Sequence, residues 1–471
     1  MVDHDTGWAE TEFGMADLGD VRRTERLIQL ATQLGAQPTA SLPAATDDPA
    51  ALKAAYRFFD NALVAPEAIL AGHVQATIAR MAAVPVVLAV QDTCYLDWTA
   101  HPATTGLGPL ASTKQQGLLV HTTLALTPDR VPLGLIQQQV WARDAATFAQ
   151  QVDHKQRAIS AKESQKWLTS LEAVIALHAQ CPTTQLVSVG DREADVYDLF
   201  VVPRPPSVDL LVRAAWNRRV EHPETYLWAA MAAVAVTATA TIHVGRRAGQ
   251  PARTATLAVR WQAVRVRPPR NRAKERLPTC ALWAVWAVET QPPAGVEPVE
   301  WLLLTSVPIL STEDALERLG WYACRWGIEV WHKILKSGCQ IEAKQLETAA
   351  RLQRCLSLYS VIAWRIQYAT MLARAVPDAP CTAFLDADEW QALYCRIHET
   401  TILPSTPPTL RTVVRWIAQL GGFQGRTGDG EPGVTVIWKG IQQLPGLTAM
   451  YRIFRPPSPD NDRSIVNKCS G

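Results

Sequence analysis

Seven segments between residues 84 and 215 limit what this chain can fold into more than anything else in it. Three short apolar, β-rich runs come first: VPVVLAVQDT at 84–93, LLVHTTLALTP at 118–128 and VPLGLIQQQVWAR at 131–143. Their separations suit turns, so they read as an antiparallel three-strand meander. A helix over about 160–179, the strand QLVSVGD at 185–191, a helix opening at READVYDLF and the strand DLLVRAA at 209–215 follow. This β-β-β-α-β-α-β order predicts an α/β core on a mixed sheet.

The flanks differ in texture. Up to about residue 70 the chain reads as a small helical module. Asp20 is placed to cap a helix through VRRTERLIQLATQL, with Leu27, Leu30, Ala31 and Leu34 on one face, Gly35 closing it, and Arg22, Arg23 and Arg26 projecting away. DPAALKAAYRFFDN supplies a second helix with Pro49 near its start. After Arg213 some ninety residues of mainly β-like sequence, about 214–298, interrupt the core, which resumes at the apolar strand EWLLLTSVP. A long helix is expected over about 311–337 with Gly338 just past its end. Beyond the break at 376–380 the chain reads as a helical C-terminal domain, and FRPPSPDNDRS as a disordered tail.

A formal net charge of +2 excludes a uniformly basic nucleic-acid coat, but the distribution matters more than the sum. Between Arg246 and Arg276 the insertion holds Arg246, Arg247, Arg253, Arg260, Arg265, Arg267, Arg270, Arg272, Lys274 and Arg276 against one acid, Glu275. That stretch carries +9 and leaves −7 for the rest. No apolar run reaches the roughly 18 residues of a membrane span, and the polar, acidic start does not read as a secretory signal. Nine scattered cysteines without a C-x-x-C pair read as reduced thiols of a cytoplasmic protein. The basic residues comprise 35 Arg and 11 Lys, a bias that suits phosphate contacts and equally a GC-rich genome.

Familiar nucleotide and hydrolase signatures are missing: there is no G-K-[ST], no G-x-S-x-G and no H-E-x-x-H. Carboxylates remain. Asp92 is expected to end the first core strand and Asp191 the fourth, where oxygen ligands could hold a hard cation such as Mg²⁺. Each also has a plain structural reading, Asp92 as the start of a turn and Asp191 as a helix N-cap. In WYACRWGIEVWHKILKSG, Tyr322, Arg325, Glu329 and Lys336 stand at spacings of 3, 4 and 7, near one helical face. An exposed face with an Arg325–Glu329 ion pair accounts for that pattern as well.

Taken together, these features resemble the DDE transposases of bacterial insertion sequences, in the insertion-sequence-four group to which the transposon-five transposase belongs. That group carries Tyr, two residues, Arg, three residues, Glu, six residues, Lys on a helix, and Tyr322-AC-Arg325-WGI-Glu329-VWHKIL-Lys336 fits without a gap. LGDVRRTERL, AAYRFFDN, QDT, GDREAD, the β insertion, WLLLTSVP, LGGF and a later W-K-G extend the resemblance over nearly the whole chain.

The resemblance implies a ribonuclease-H-like catalytic domain over 71–375, interrupted by the basic β-rich insertion, between a helical domain at 1–70 that binds transposon ends and a helical dimerisation domain at 376–471. Asp92, Asp191 and Glu329 would form the DDE triad and hold two Mg²⁺ or Mn²⁺ ions. Tyr322, Arg325, Lys336, His332 and Lys333 would hold the DNA strand near a flipped base. Trp301 would stack on that base, with a strand-edge core aromatic as its structural alternative. Arg22, Arg23 and Arg26 would contact the terminal repeat, Arg213 would contact DNA after the last strand before the insertion, and the Arg246–Arg276 stretch would lie along the duplex. The activity implied is cut-and-paste transposition by a cytoplasmic, nucleoid-associated bacterial enzyme, a homodimer on paired double-stranded DNA ends. Its rivals are a metal-dependent nuclease that does not join ends and a catalytically silent repressor.

Overall fold

The computed structural model describes residues 7–46, 48–148, 163–245 and 251–455. Arg246, Arg247, Cys469, the first residues of the helix expected from 160 and most of the tail expected at 454–464 lie outside them. Ten strands form one sheet: β1 Val86–Asp97, β2 Gly108–Pro109, β3 Gln116–Leu126, β4 Pro132–Trp141, β5 Gln185–Gly190, β6 Val208–Arg213, β7 Ala238–Val244, β8 Arg253–Val266, β9 Cys280–Glu289 and β10 Glu300–Thr305. Their spatial order is β4-β3-β1-β5-β6-β10-β9-β8-β7, with β2 also on the outer edge of β3. β1, β3 and β4 pair antiparallel, while β1, β5 and β6 run parallel. That five-strand arrangement is a ribonuclease-H-like core.

β1 begins as an unbroken apolar run because both of its faces are covered. Leu88 and Val90 belong to the cluster shared with the N- and C-terminal helices, and Val87 and Ala89 to the one beneath helix Gln165–His178. The period of two along a strand distributes them this way.

The insertion is not a separate β unit. Its strands continue the core sheet: β10 pairs antiparallel with β6, β9 with β10, β8 with β9 and β7 with β8. Of the ten basic residues the eight described ones are Arg253, Arg260, Arg265, Arg267, Arg270, Arg272, Lys274 and Arg276. Arg253 pairs with Glu289, Arg265 and Arg267 with Glu221, and Arg272 with Asp198 and Glu275, while Arg260 lies over the Trp286 ring at 5.0 Å. Arg270, Lys274 and Arg276 are exposed.

Asp20 caps helix Val21–Ala36 by accepting from the Arg22 N–H at 3.0 Å, as expected. Asp48 caps helix Pro49–Asp60, with Pro49 in its first turn. Gly35 does not close its helix but lies inside it, because a Cβ there would stand 2.7 Å from the Trp8 ring. Helix Pro66–Ala82 crosses residue 70 and ties the N-terminal helices to the sheet. Its His73 accepts from the Leu135 N–H through Nε2 at 3.0 Å and so donates through Nδ1 to Glu12 at 2.5 Å, while Arg80 reaches the same carboxylate at 2.8 Å. Burial pushes Glu12 upward, yet the bonds from His73 and Arg80 outweigh it and hold the carboxyl below its ordinary range.

Helix Ala349–Ala375 runs through the interior and precedes helices Ala387–His398, Leu410–Leu420, Val434–Ile441 and Leu444–Phe454. Among the described residues no helix is long and apolar enough to cross a membrane, and every cysteine is a free thiol.

Candidate active site

Asp92 lies inside β1 and not at its end, contrary to the sequence expectation. β3 pairs with β1 from Leu88 to Asp97, whereas the parallel partner β5 stops at the Val90–Val189 rung. Two residues past that rung, Asp92 sits where one neighbour continues and the other has ended. Its register partner Thr122 is also in register with Gln138, whose amide donates to Ser360 of the interior helix at 3.0 Å. The Asp92 side chain therefore faces the C-terminal helices.

Asp191 follows β5 directly and accepts from the Glu193 N–H at 2.8 Å, capping the short turn Arg192–Ala194. Its structural reading as a cap is thus correct, and its charge also acts on Asp92. READVYDLF forms that turn and a separate helix, Tyr197–Val201, where one continuous helix was expected.

Glu329 comes from the signature segment, which is helical over the expected span but carries two local irregularities. Ser311 and Asp314 form a capping box that starts helix Thr312–Cys324. At Arg325 the backbone stays right-handed helical but the turn tightens, with the Arg325 N–H on the Tyr322 carbonyl at 3.0 Å and the Ile328 N–H on the Arg325 carbonyl at 3.1 Å; Trp326–Lys333 follows and passes into a π turn, Ile334–Gly338, closed by the Cys339 N–H on the Ile334 carbonyl at 2.7 Å. π turns widen a helix and recur at functional sites. Lys336 lies in this turn: its Nζ donates to the Tyr95 carbonyl at 2.9 Å and pairs with Glu342 at 3.0 Å, and its charge acts on His332.

The other members converge. Arg325 forms an ion pair with Glu329 and holds Nη1 3.9 Å from Asp92 Oδ2. Burial opposes its charge, but Tyr322, Glu329, Asp92 and Asp191 together raise its pKa. Burial lifts Asp92 to about 6; Arg325 works against this, and the charges of Asp191 and Glu329 add to it. His332 lies under the same carboxylate, Nδ1 to Oδ2 3.7 Å, and is buried rather than presented to solvent. Burial, Lys336 and Arg325 push it down to about 3, so the imidazole is neutral. Lys333, by contrast, is exposed.

Tyr322 is buried edge-on against Trp301, ring centroids 5.2 Å apart, and shares a hydrogen bond with Arg213, which donates to the Glu300 carbonyl at 2.7 Å. Trp301 is half-buried against the main core, so its strand-edge packing and its nearness to the site coexist. Arg22, Arg23 and Arg26 stand on the N-terminal helix. Arg22 is exposed and pairs with Asp20, and Arg23 donates to the Leu18 carbonyl.

Asp92, Asp191 and Glu329 offer hard oxygen donors, and the charges of the latter two act on Asp92, the chemistry that suits Mg²⁺ or Mn²⁺. Among the described residues, no three His, Cys, Asp or Glu side chains already stand close enough to hold an ion together. The Arg325 guanidinium lies between Asp92 and Glu329 and supplies the positive charge they share. The donor set therefore fits a divalent cation by its chemistry, with Arg325 as the group that would have to yield.

Sequence reasoning passed over Asp195, although it lies in the quoted GDREAD segment. This carboxylate is buried and organises the loop after β6. A second aspartate four residues after Asp191, just ahead of an apolar run, was the available signal.

Two comparisons bear on the ends of the chain. Residues 5–64 match the family described as Transposase DNA-binding, and residues 361–457 match the Transposase Tn5 dimerisation domain. The first covers the helices around Asp20 and Asp48. The second begins inside the interior helix and includes the four helices that follow it.

Proposed function

We propose that this chain, a Tn5-like transposase by its two terminal domains, acts by cut-and-paste. It would bind the terminal inverted repeats of its element, pair them as a homodimer, excise the element and join its 3′-OH ends to target DNA. The observation that carries this reading is the charge coupling of Asp92, Asp191 and Glu329, which come from β1, the end of β5 and the signature helix.

In each step an oxygen nucleophile forms a bond to phosphorus and the P–O3′ bond breaks. Water would nick first, the freed 3′-OH would then attack the opposite strand to form a hairpin, water would reopen it, and the 3′-OH would finally attack target DNA. Asp92, Asp191 and Glu329 would hold two Mg²⁺ or Mn²⁺ ions, which stabilise charge at the attacked phosphorus and on the leaving oxygen. Arg325 would turn from Glu329 to a phosphate of the bound strand, a bidentate contact that suits a guanidinium. Tyr322 and Arg213 stand on the same side for a second phosphate. Trp301 would receive a base displaced when the hairpin bends, since an aromatic face offsets the cost of unstacking. Arg22, Arg23, Arg26 and Lys333 supply exposed or half-exposed cations for backbone contacts elsewhere on the duplex. We place the protein with the cytoplasmic nucleoid, where such DNA resides.

The test uses DNA flanking the gene as substrate. Wild-type protein with Mg²⁺ should cleave at the element ends, and Asp92→Asn or Glu329→Gln should bind those ends without cleaving. Wild-type-level cleavage by either variant removes the triad assignment. Pre-cleaved ends offered with target DNA separate a transposase from a nuclease: joined products mark the first.

A further inference from the structure

β6 ends beside Asp191, since Gly190 pairs with Val212. The chain then turns through 214–218 at the same edge of the sheet. Asp195, buried below this turn, accepts from the N–H groups of Ala215 at 2.8 Å and Trp216 at 2.9 Å and from Arg218 Nε at 2.7 Å. Arg218 returns a bond from Nη2 to the Asp195 carbonyl at 2.6 Å and lies over the rings of Tyr197 and Phe200. Its N–H donates to the Trp216 carbonyl at 2.8 Å. Trp216 is therefore held at both its N–H and its C=O.

The indole itself is 65% exposed. All 17 tryptophans fall among the described residues, and only Trp216 and Trp326 are exposed. Trp326 follows Arg325 on the signature helix, and Trp216 follows the end of β6, whose Val212 pairs with Gly190 just before Asp191. An aromatic of this size normally gains its stability from burial. A buried ion pair that must be desolvated to hold such a ring in water is a costly arrangement for stability alone. What it provides is a rigid aromatic face whose ordering cost is already met.

We propose that Trp216 is a stacking platform for an unpaired nucleobase of the DNA strand at the cleavage site, positioned by the Asp195–Arg218 pair. The neighbouring Arg213 and Arg219 are cations for the flanking phosphates, and stacking accepts any base because every base has a π face. This inference rests on the DNA-cutting reading above.

The experiment compares fluorescence anisotropy of the full chain on two labelled duplexes from the gene's flanking DNA, one blunt and one bearing a short single-stranded 3′ extension. Wild-type protein should favour the extended duplex. Trp216→Ala should lose about five- to a hundredfold on that duplex alone, and Trp216→Phe should retain most of the preference. An unchanged preference in Trp216→Ala, an equal loss on both duplexes, or no wild-type preference overturns the stacking role while leaving DNA binding intact. A wild-type protein that binds neither duplex overturns the DNA-cutting reading itself, a different and recognisable result.

Discussion

Replacing Asp92 with Asn should stabilise the protein in the absence of divalent cations while abolishing its chemistry. The Asp92 carboxyl sits at about 6 where 3.8 is ordinary, chiefly because burial disfavours its charge. A shift of roughly two units corresponds to about 3 kcal/mol by which folding disfavours the ionised form. The sign follows from the raised value. The folded state holds this proton more tightly than the unfolded chain, so the penalty is absent below about pH 3.8 and grows as pH rises to about 6. Above that it is fully present. Asn keeps the shape and removes the charge, and the residual 21% exposure of Asp92 trims the gain. The expected increase is therefore about 2–3 kcal/mol at pH 7.5 and roughly half that at pH 5. Equilibrium urea unfolding in EDTA at the two pH values measures it. Millimolar Mg²⁺ should stabilise the wild type and leave Asp92→Asn unchanged. A variant less stable than wild type at pH 7.5, or a gain that does not shrink at pH 5, would refute the electrostatic account of this site.

Three further outcomes are expected. Trp301→Ala should slow hairpin formation with nicking largely spared, read on denaturing gels; an unchanged hairpin yield returns Trp301 to a packing role. Simultaneous Arg270→Ala, Lys274→Ala and Arg276→Ala should weaken DNA binding and lower the slope of log K against log salt by roughly 2 to 3, at about 0.9 for each phosphate left without its cation; an unchanged slope means this edge does not touch DNA. Glu12→Ala leaves His73 and Arg80 without their shared acceptor and should cost about 3 kcal/mol in urea unfolding, whereas a loss under about 1 kcal/mol would mean that the buried network does not anchor the N-terminal helices.

Much was legible without coordinates. Residues whose roles depend on near neighbours in the chain could be read directly: Asp20 as a cap, Pro49 in a first turn, the apolar runs of β1, β3, β5 and β6, and Ser311 as the start of the signature helix. Gly35 misled because its reason is distant: it is the last residue but one of its helix, and a Cβ there would meet the Trp8 ring. The helix expected around Glu329 is present, but its irregularities have a similar cause. Periodicity carries no mark of the tightened turn at Arg325 or the π turn after Lys333, both set where the segment packs against β1 and the interior helix.

What the sequence determined by itself is local: which segments pair as strands or coil as helices, how they are capped, and which carboxylates, cations and aromatics are on hand. The tertiary structure decided where those groups meet. It ended the β1–β5 pairing two residues before Asp92, continued the core sheet through the insertion, set Arg325 between Asp92 and Glu329, and placed Glu221, Glu289 and Asp198 against four of the insertion's arginines. It also left Trp216 in water on a loop bound from below. The physical reason is range. Caps and periodicities act over a few residues, whereas burial, ion pairing and strand register are settled by contacts between segments far apart in the chain, and those contacts exist only once the chain has folded.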